Sequence, residues 1–303
     1  MTIKQIIASA LLCLATTTVR AQQTDAFPYP AMPDSLHTPE SRARFLLEHY
    51  WDNVCFADTN IIHRPELSEQ GFVNFIDLLP RISPATAAIG LRAFADRLYP
   101  ARPQDAAETV RSYFCDLADR YLADEDSPMR NDVLYAQFLD VMAANKFADA
   151  AARTRNEFMA RNLRKNLPGT TTADFEYVDR QGTKHRLSEF RAKLTLLYFY
   201  DPDCNHCHET ARQLMSIPQL NAGDSIRVLA IYPYEDTDRW QNTANIFPPQ
   251  WTDGYSPGGH IATDDTYYFK SMPSVYLLDA DKHVLLKNPN ISVLKSFISQ
   301  QKL

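Results

Sequence analysis

The sequence predicts two domains, an all-α domain followed by an α/β domain. In the first half, apolar residues recur every three or four positions, which is typical of helices packed around one core. After Pro168-Gly169 the pattern changes to short, fully apolar runs separated by helical segments, which is typical of a sheet covered by helices. The longest of these runs, Leu194–Tyr200, leads directly into a Cys-Asn-His-Cys motif at residues 204–207. This arrangement places the candidate chemistry in the second domain.

The first residues have the composition of an export signal. Lys4 supplies a positive charge, Ile6–Ala15 is a short apolar stretch, and Val19-Arg20-Ala21 offers a cleavage site before Gln22. The apolar stretch is too short to span a bilayer, and the longest later run has the length of a buried strand. We therefore predict a signal peptide at 1–21 and a periplasmic or otherwise exported protein, soluble and without a membrane span after cleavage.

The net charge and the number of cysteines indicate which kinds of molecule the protein binds or reacts with. The chain has 31 Lys and Arg residues against 37 Asp and Glu residues, a net charge of −6, and contains no run of basic residues. This balance argues against nucleic-acid binding. Cys13 lies in the predicted signal peptide, so Cys55, Cys115, Cys204 and Cys207 remain. An even number of cysteines in an oxidising compartment favours disulfide chemistry.

The first domain is predicted from a series of amphipathic helices. Residues 22–37 are rich in Pro and small polar residues and form a flexible lead-in. Thr38-Pro39 and Ser83-Pro84 each have the pattern of a helix N-cap followed by Pro at the first helical position. We assign residues 38–148 to the helical domain and residues 149–167, which gain positive charge, to a linker helix.

Cys55 and Cys115 lie at the edges of the apolar faces of two predicted helices. Paired as a structural disulfide, they would close a long loop and stabilise the helical domain by about 4 kcal/mol. Two buried free thiols are equally consistent with these positions. Sequence spacing does not decide between the two states.

Residues 168–303 are predicted to form the α/β domain. Its runs alternate or are fully apolar over four to seven residues, as expected of strands, and a turn at Asp279–Lys282 separates the last two. The predicted strands are Phe175–Val178, Leu194–Tyr200, Ile226–Ile231, Ser274–Leu278 and His283–Leu286, and Val293–Gln301 is a closing helix.

The Cys204-Asn205-His206-Cys207 motif follows the predicted buried strand Leu194–Tyr200 and opens a helix. At such a turn, free backbone N–H groups and the positive end of the helix dipole stabilise a thiolate at Cys204. Cys207 lies one helical turn further on and can attack a mixed disulfide formed by Cys204. The sequence therefore predicts Cys204 and Cys207 as a redox-active disulfide pair, with Cys204 as the nucleophile.

A zinc site and a structural disulfide are weaker interpretations of the same motif. A CxxC can be half of a zinc site, with His206, His208 and His260 as further ligands, but the chain has no second CxxC. A purely structural short-range disulfide is the other alternative. We expect no metal and no cofactor.

Five segments of the second domain occur in the order found in a known family. They are Ala173-Asp174-Phe175, Leu187–Phe190, Leu194–Tyr200, Cys204–Cys207 and Met272–Asp279. On these segments, residues 168–303 resemble the TlpA/ResA branch of envelope thioredoxin-like proteins. The resemblance implies a thioredoxin-like fold, protein thiols and disulfides as partners, and a membrane electron donor of the DsbD type. The helical half resembles, more weakly, domains of unknown function that precede such modules in bacterial envelope proteins.

The resemblance also implies that Pro273 forms a cis peptide bond with Met272 beside the dithiol. Such a bond exposes the backbone of Met272, with which a client peptide can pair as an added strand. Two positions depart from the family pattern, since Asp203 replaces the usual Trp and Tyr198 replaces the buried acidic residue of thioredoxin. Proton transfer to or from Cys207 therefore needs water or another group.

The residues around Cys204 act in opposite directions on its thiolate. His206 stabilises the thiolate if its ring donates a hydrogen bond or carries a charge, or else it is an exposed helix residue without a tuning role. Asp201, Asp203 and Glu209 destabilise the thiolate by like-charge repulsion. Because about 1.4 kcal/mol shifts the potential by about 30 mV, the sequence leaves the redox direction undetermined.

The leading functional prediction is an envelope thiol–disulfide oxidoreductase that exchanges disulfides with protein clients. A peroxiredoxin-type peroxidase would need Thr or Ser three residues before the reactive cysteine, where this chain has Asp201. The alternative from another class is a non-catalytic protein in which the helical domain recognises a ligand and the CxxC is structural.

Overall fold

The computed structural model describes residues 27–99, 105–124, 126–222, 225–243 and 246–301. The predicted signal peptide, residues 1–21, and the lead-in as far as residue 26 lie outside the described residues. Within the described ranges, every helix is too short or too polar to cross a membrane. The two-domain fold class predicted from the sequence is confirmed.

Among the described residues, five α-helices lie in the predicted helical domain, and a sixth follows at the predicted linker helix. Their side-chain caps follow the sequence pattern: Thr38 accepts a hydrogen bond from the Ser41 N–H and Ser83 from the Thr86 N–H. Such caps satisfy backbone donors that the first turn of a helix leaves unpaired. The helices are α1 (Pro39–His49), α2 (Glu69–Leu78), α3 (Pro84–Leu98), α4 (Asp105–Ala118), α5 (Asp132–Ala144) and α6 (Ala150–Leu163), with a π-helical turn at Asp119–Ala123 after α4.

Aromatic side chains build the core of the helical domain. Trp51 stacks on Phe94 with ring centroids 4.9 Å apart, and Phe75 and Phe114 meet the Trp51 ring edge-on. All four side chains are buried. Pairs of this geometry add about 0.5–1.5 kcal/mol each beyond the burial of apolar area. The first domain therefore has a core of its own.

The second domain is one mixed seven-stranded sheet with helices on both faces. The strands are β1 (Glu176–Asp179), β2 (Lys184–Arg186), β3 (Leu194–Phe199), β4 (Ile226–Tyr232), β5 (Thr252–Tyr255), β6 (Ser274–Leu278) and β7 (Val284–Lys287). The helices are α7 (Asn205–Met215), α8 (Thr237–Gln241), α9 (His260–Thr263) and α10 (Ile291–Gln300). The strand order is β2-β1-β5-β4-β3-β6-β7, in which β3 is parallel to β4 and antiparallel to β6.

Strand β3 lies inside this sheet, between β4 and β6, and is buried along its whole length. Leu196 and Tyr198 pack on one face, together with Leu214 of α7 and Leu294 of α10. Leu197 and Phe199 pack on the other face in a second cluster. A strand covered on both faces is apolar throughout rather than alternating. Its carboxyl end delivers the chain to Cys204.

A buried lysine joins the two domains. Lys287, at the end of β7, places its Nζ 3.0 Å from an oxygen of Asp132 in α5 and donates to the carbonyl oxygens of Leu163 and Lys165. Its side chain is 4% exposed. Burial lowers the pKa of Lys287, and the Asp132 carboxylate opposes that shift. The helical domain is therefore attached to an edge of the sheet by an ion pair removed from solvent.

A second contact lies closer to the dithiol. Lys270 in the loop before β6 places its Nζ 2.7 Å from the Asp119 carboxylate, which also accepts a hydrogen bond from the Tyr135 hydroxyl. Tyr268 of the same loop packs against the core of the helical domain. These contacts hold the loop that leads to Met272-Pro273.

Candidate active site

Cys204 is the N-cap residue of α7, directly after the loop that follows β3. Its Sγ accepts a hydrogen bond from the backbone N–H of Cys207, with N and S 3.1 Å apart. The side chain is partly exposed. A sulfur in this position receives both an N–H donor and the positive end of the helix dipole, which favour the thiolate. Cys204 therefore has the setting of a nucleophile.

Cys207 is held in a different environment one turn into α7. Its side chain is 1% exposed. Burial raises the pKa of the Cys207 thiol, and the neighbouring Cys204 adds to that shift. The Tyr198 hydroxyl donates to the Cys207 carbonyl oxygen at 2.6 Å and holds the first turn of the helix on β3. A large molecule can thus reach Cys204 but not Cys207.

The backbone of Met272 lies against the reactive sulfur. The distance from Cys204 Sγ to the Met272 carbonyl oxygen is 3.5 Å, and the Met272-Pro273 peptide bond is cis. Strand β6 follows at once, with Ser274 paired to Phe199 at the end of β3. The fold thereby brings together Cys204, Cys207, Met272 and Pro273, although Cys204 and Met272 are 68 residues apart along the chain.

Arg239 of α8 pairs with the acidic loop that precedes Cys204. Its Nε lies 2.8 Å from Asp203 Oδ2, and its Nη2 contacts both Asp203 and Asp201. Asp203 and Asp201 raise the pKa of Arg239. The acidic flank is therefore compensated by a cation 36 residues further on in the sequence. No feature of the sequence pairs Arg239 with this loop, and sequence reasoning missed it.

The three histidines considered as metal ligands lie in separate settings. His206 faces a groove that it shares with Pro273, and the ring of His208 contacts the Pro202 carbonyl oxygen with Nε2 at 2.7 Å. His260 lies on α9, where it pairs with Asp264. Among the described residues, no group of three or more His, Cys, Asp or Glu side chains could hold a metal ion.

Sequence and structure comparisons place the chain in a family. Residues 12–166 match the family described as Domain of unknown function (DUF5106). The chain also matches the crystal structure of a thioredoxin-like protein from Bacteroides caccae, with 36% sequence identity and a TM-score of 0.75. The match covers 91% of this chain and 99% of that chain. The chain is a thioredoxin-like protein of the DUF5106 family.

Two further solved structures each match less than half of this DUF5106 protein. The C-terminal domain of an uncharacterized protein from Bacteroides fragilis is 33% identical over 45% of this chain and 99% of that chain, with a TM-score of 0.43. A domain of a possible thiol-disulfide isomerase from Cytophaga hutchinsonii is 25% identical over 45% of this chain and 94% of that chain, with a TM-score of 0.38. No curated protein matches the chain.

A cavity of about 380 Å³ in this DUF5106 protein reaches the buried thiol of Cys207. Tyr198, Tyr200, His208 and Phe247 line it. Behind it, the buried Asp253 carboxylate accepts hydrogen bonds from the Tyr200 hydroxyl at 2.8 Å and from neighbouring side chains. The cavity is large enough for several water molecules. Water can therefore lie beside Cys207, where thioredoxin has a carboxylate.

The two cysteines of the helical domain are free thiols in this structure. Cys55 is exposed, whereas Cys115 on α4 is partly buried, and burial raises the pKa of Cys115 to about 11. The pairing of Cys55 with Cys115 stays a prediction.

Proposed function

We propose that the protein is an exported thiol–disulfide oxidoreductase of the TlpA/ResA type that exchanges disulfides with protein clients. One observation carries the proposal: the sulfur of Cys204, capped by the Cys207 N–H, lies 3.5 Å from the Met272 carbonyl while Cys207 is buried beneath it. An accessible nucleophile and a protected second thiol are what disulfide exchange requires. Similarity to the Bacteroides caccae thioredoxin-like protein supports the thioredoxin-like fold that positions these residues.

The exchange proceeds in two balanced steps. The Cys204 thiolate attacks one sulfur of a client disulfide, forms a mixed disulfide and releases the other client sulfur as a thiolate. Cys207 then loses its proton and attacks the Cys204 sulfur, which forms the Cys204–Cys207 disulfide and releases the second client thiolate. Two electrons pass from the dithiol to the client, and the two client thiolates take up two protons. The reverse sequence oxidises a client dithiol.

The main chain of Met272 is the docking edge in this proposal. Its carbonyl oxygen is close enough to Cys204 for a client strand, bound there, to bring its own cysteine to the nucleophile. Protein thiols and disulfides are the partners, and a membrane electron donor of the DsbD type would return electrons to Cys204 and Cys207. We place the protein in the bacterial envelope on the composition of residues 1–21.

Reaction with glutathione disulfide tests the assignment of Cys204 and Cys207. The reduced wild type should form the Cys204–Cys207 disulfide, seen by mass spectrometry as the loss of two hydrogens and protection of both thiols from alkylation. Cys207→Ser should stop at a glutathione adduct on Cys204, and Cys204→Ser should form neither product. Cys115→Ser, which changes a thiol of the helical domain, serves as the control.

The same reaction gives the redox direction and separates the competing function. The equilibrium constant against glutathione yields the potential, with about 30 mV for each 1.4 kcal/mol. If the wild type forms neither the adduct nor the disulfide, the oxidoreductase assignment fails, and a partner-binding role of the helical domain replaces it.

A further inference from the structure

A groove of about 440 Å³ begins beside the dithiol and is formed by both domains. On the thioredoxin-like side its lining includes His206 of α7 and Pro273. On the opposite side it is lined by Asp126, Pro128 and Arg130, from the segment of the helical domain that precedes α5. The groove therefore extends the reactive site onto the domain of unknown function.

The floor of this groove is apolar. Leu214 and Leu294 are fully buried, and Val275 of β6 is 7% exposed. Pro273 at its near end directly follows Met272, whose carbonyl oxygen is 3.5 Å from Cys204 Sγ. A polypeptide whose cysteine has reached Cys204 must place its neighbouring residues at the mouth of this groove. The occupant that fits is an extended polypeptide segment.

The wall from the helical domain is held in place by its own hydrogen bonds. The Ser127 hydroxyl donates to the Tyr121 carbonyl at 2.6 Å, and the Asn131 N–H donates to the Leu122 carbonyl at 3.0 Å. Asn131 also caps α5, whose first residue, Asp132, is bound to the buried Lys287. Asp126 and Pro128 themselves are exposed. The segment is thus a fixed surface next to the groove.

Arg130 is the cation of this wall. Its Nε lies 3.6 Å from Asp132, and its side chain is 17% exposed. Asp132 also binds Lys287, so one carboxylate is shared between two cations. The Arg130 guanidinium lines the groove beside the exposed Asp126 carboxylate, and a guanidinium carries five N–H donors. Hydrogen-bond acceptors, such as the carbonyl oxygens of an extended chain, are the groups that this wall attracts.

We propose that the helical domain forms the second wall of the client-binding groove and that Arg130 binds the main-chain carbonyl oxygens of an extended client polypeptide. This inference rests on the proposed function. It gives the domain of unknown function a role in selecting polypeptide clients over small disulfides. Arg130 acts on client binding and has no part in the exchange between Cys204 and Cys207.

Two substrates with the same leaving group test this role. One is an extended peptide of about ten residues whose single cysteine is blocked by thionitrobenzoate, and the other is free cysteine blocked in the same way. Release of thionitrobenzoate gives the second-order rate constant of the reduced protein with each. For Arg130→Gln we expect the rate constant with the peptide to fall about tenfold, because the variant loses one charge-assisted hydrogen bond to the peptide. The rate constant with blocked cysteine should stay within about twofold.

Two further variants distinguish a loss of peptide binding from a folding defect. Pro128→Trp fills the groove from an exposed position and should lower the peptide rate constant selectively, whereas Arg92→Gln on the exposed side of α3 should change neither. The inference is overturned if Arg130→Gln and Pro128→Trp leave the ratio of the two rate constants unchanged, whether both constants fall or neither does. If the wild type reacts with neither substrate, the proposed oxidoreductase function itself fails.

Discussion

Arg239 changes the electrostatic balance around Cys204. Its guanidinium contacts Asp203 and Asp201, the two acidic side chains in the loop directly before the nucleophile. Without that cation, both carboxylates would repel a negative charge on the Cys204 sulfur. Because the pair is partly exposed, the compensation is moderate and is screened by salt. We infer that Arg239 keeps the acidic loop compatible with a thiolate.

Replacing Arg239 by Gln tests this balance. With the acidic loop uncompensated, Asp201 and Asp203 oppose negative charge on the attacking sulfur, so alkylation of Cys204 by iodoacetamide should slow about twofold at low salt. Arg239→Lys retains the charge and should alkylate at the wild-type rate. High salt should bring the Gln variant back towards the wild type. Equal rates for all three proteins at low salt would contradict the argument.

Cys207 should make the stability of the reduced protein depend on pH. Burial raises its pKa above the ordinary value of 9.0, so the folded protein retains a proton that the unfolded chain loses. The unfolded state then binds fewer protons above about pH 9, and the free energy of unfolding should fall by about 1 kcal/mol per pH unit there. Below about pH 8 this contribution should be constant.

Denaturant unfolding of the reduced protein as a function of pH measures this dependence. Cys207→Ser lacks the titrating group and should show a flatter profile above about pH 9 than the wild type. The oxidised wild type, with both sulfurs in a disulfide, provides a second control. Parallel profiles for reduced wild type and Cys207→Ser would show that Cys207 titrates alike in the folded and unfolded states.

At the scale of elements, the buried strand β3 and the helix after it could be predicted because local patterns encode them. Leu194–Tyr200 is apolar throughout, as a strand covered on both faces must be, and β3 is formed by Leu194–Phe199. The helix α7 starts where a CxxC after a strand indicates, at Asn205, with Cys204 as its cap. Each of these features depends on residues adjacent in the chain.

Strand β5 could not be predicted in the same way. Its sequence, Thr252-Asp-Gly-Tyr255, has the composition of a turn, but the strand is parallel to β4 and antiparallel to β1. At Gly254 a Cβ atom would lie 2.8 Å from the carbonyl oxygen of Val178, so the close approach of β1 requires glycine. Asp253 is accepted in the strand because Tyr200 and neighbouring side chains satisfy its carboxylate. Both reasons are contacts between residues far apart in the sequence, and local strand propensity does not predict such contacts.

Across the whole molecule, the interface between the domains determines the shape of the site. The helical domain supplies Arg130 to the groove, while Lys287 and Lys270 bind it to the sheet and to the loop before Met272. From sequence, Lys287 is one more charged residue at the end of a strand, and only the assembled fold shows its partner Asp132. The two domains therefore share a polar interface, and in the proposed function they act together on the client.

Asp132→Asn tests how strongly this interface holds. The variant leaves the ammonium group of Lys287, 4% exposed, without its carboxylate. An unpaired buried charge of this kind costs about 3 kcal/mol, so the free energy of unfolding should fall by that order in denaturant titrations. Asp140→Asn breaks the exposed ion pair with Arg164 and should cost less than about 1 kcal/mol. If the two variants are equally stable, Lys287 is solvated or neutral at the interface, and its ion pair with Asp132 does not hold the helical domain to the sheet.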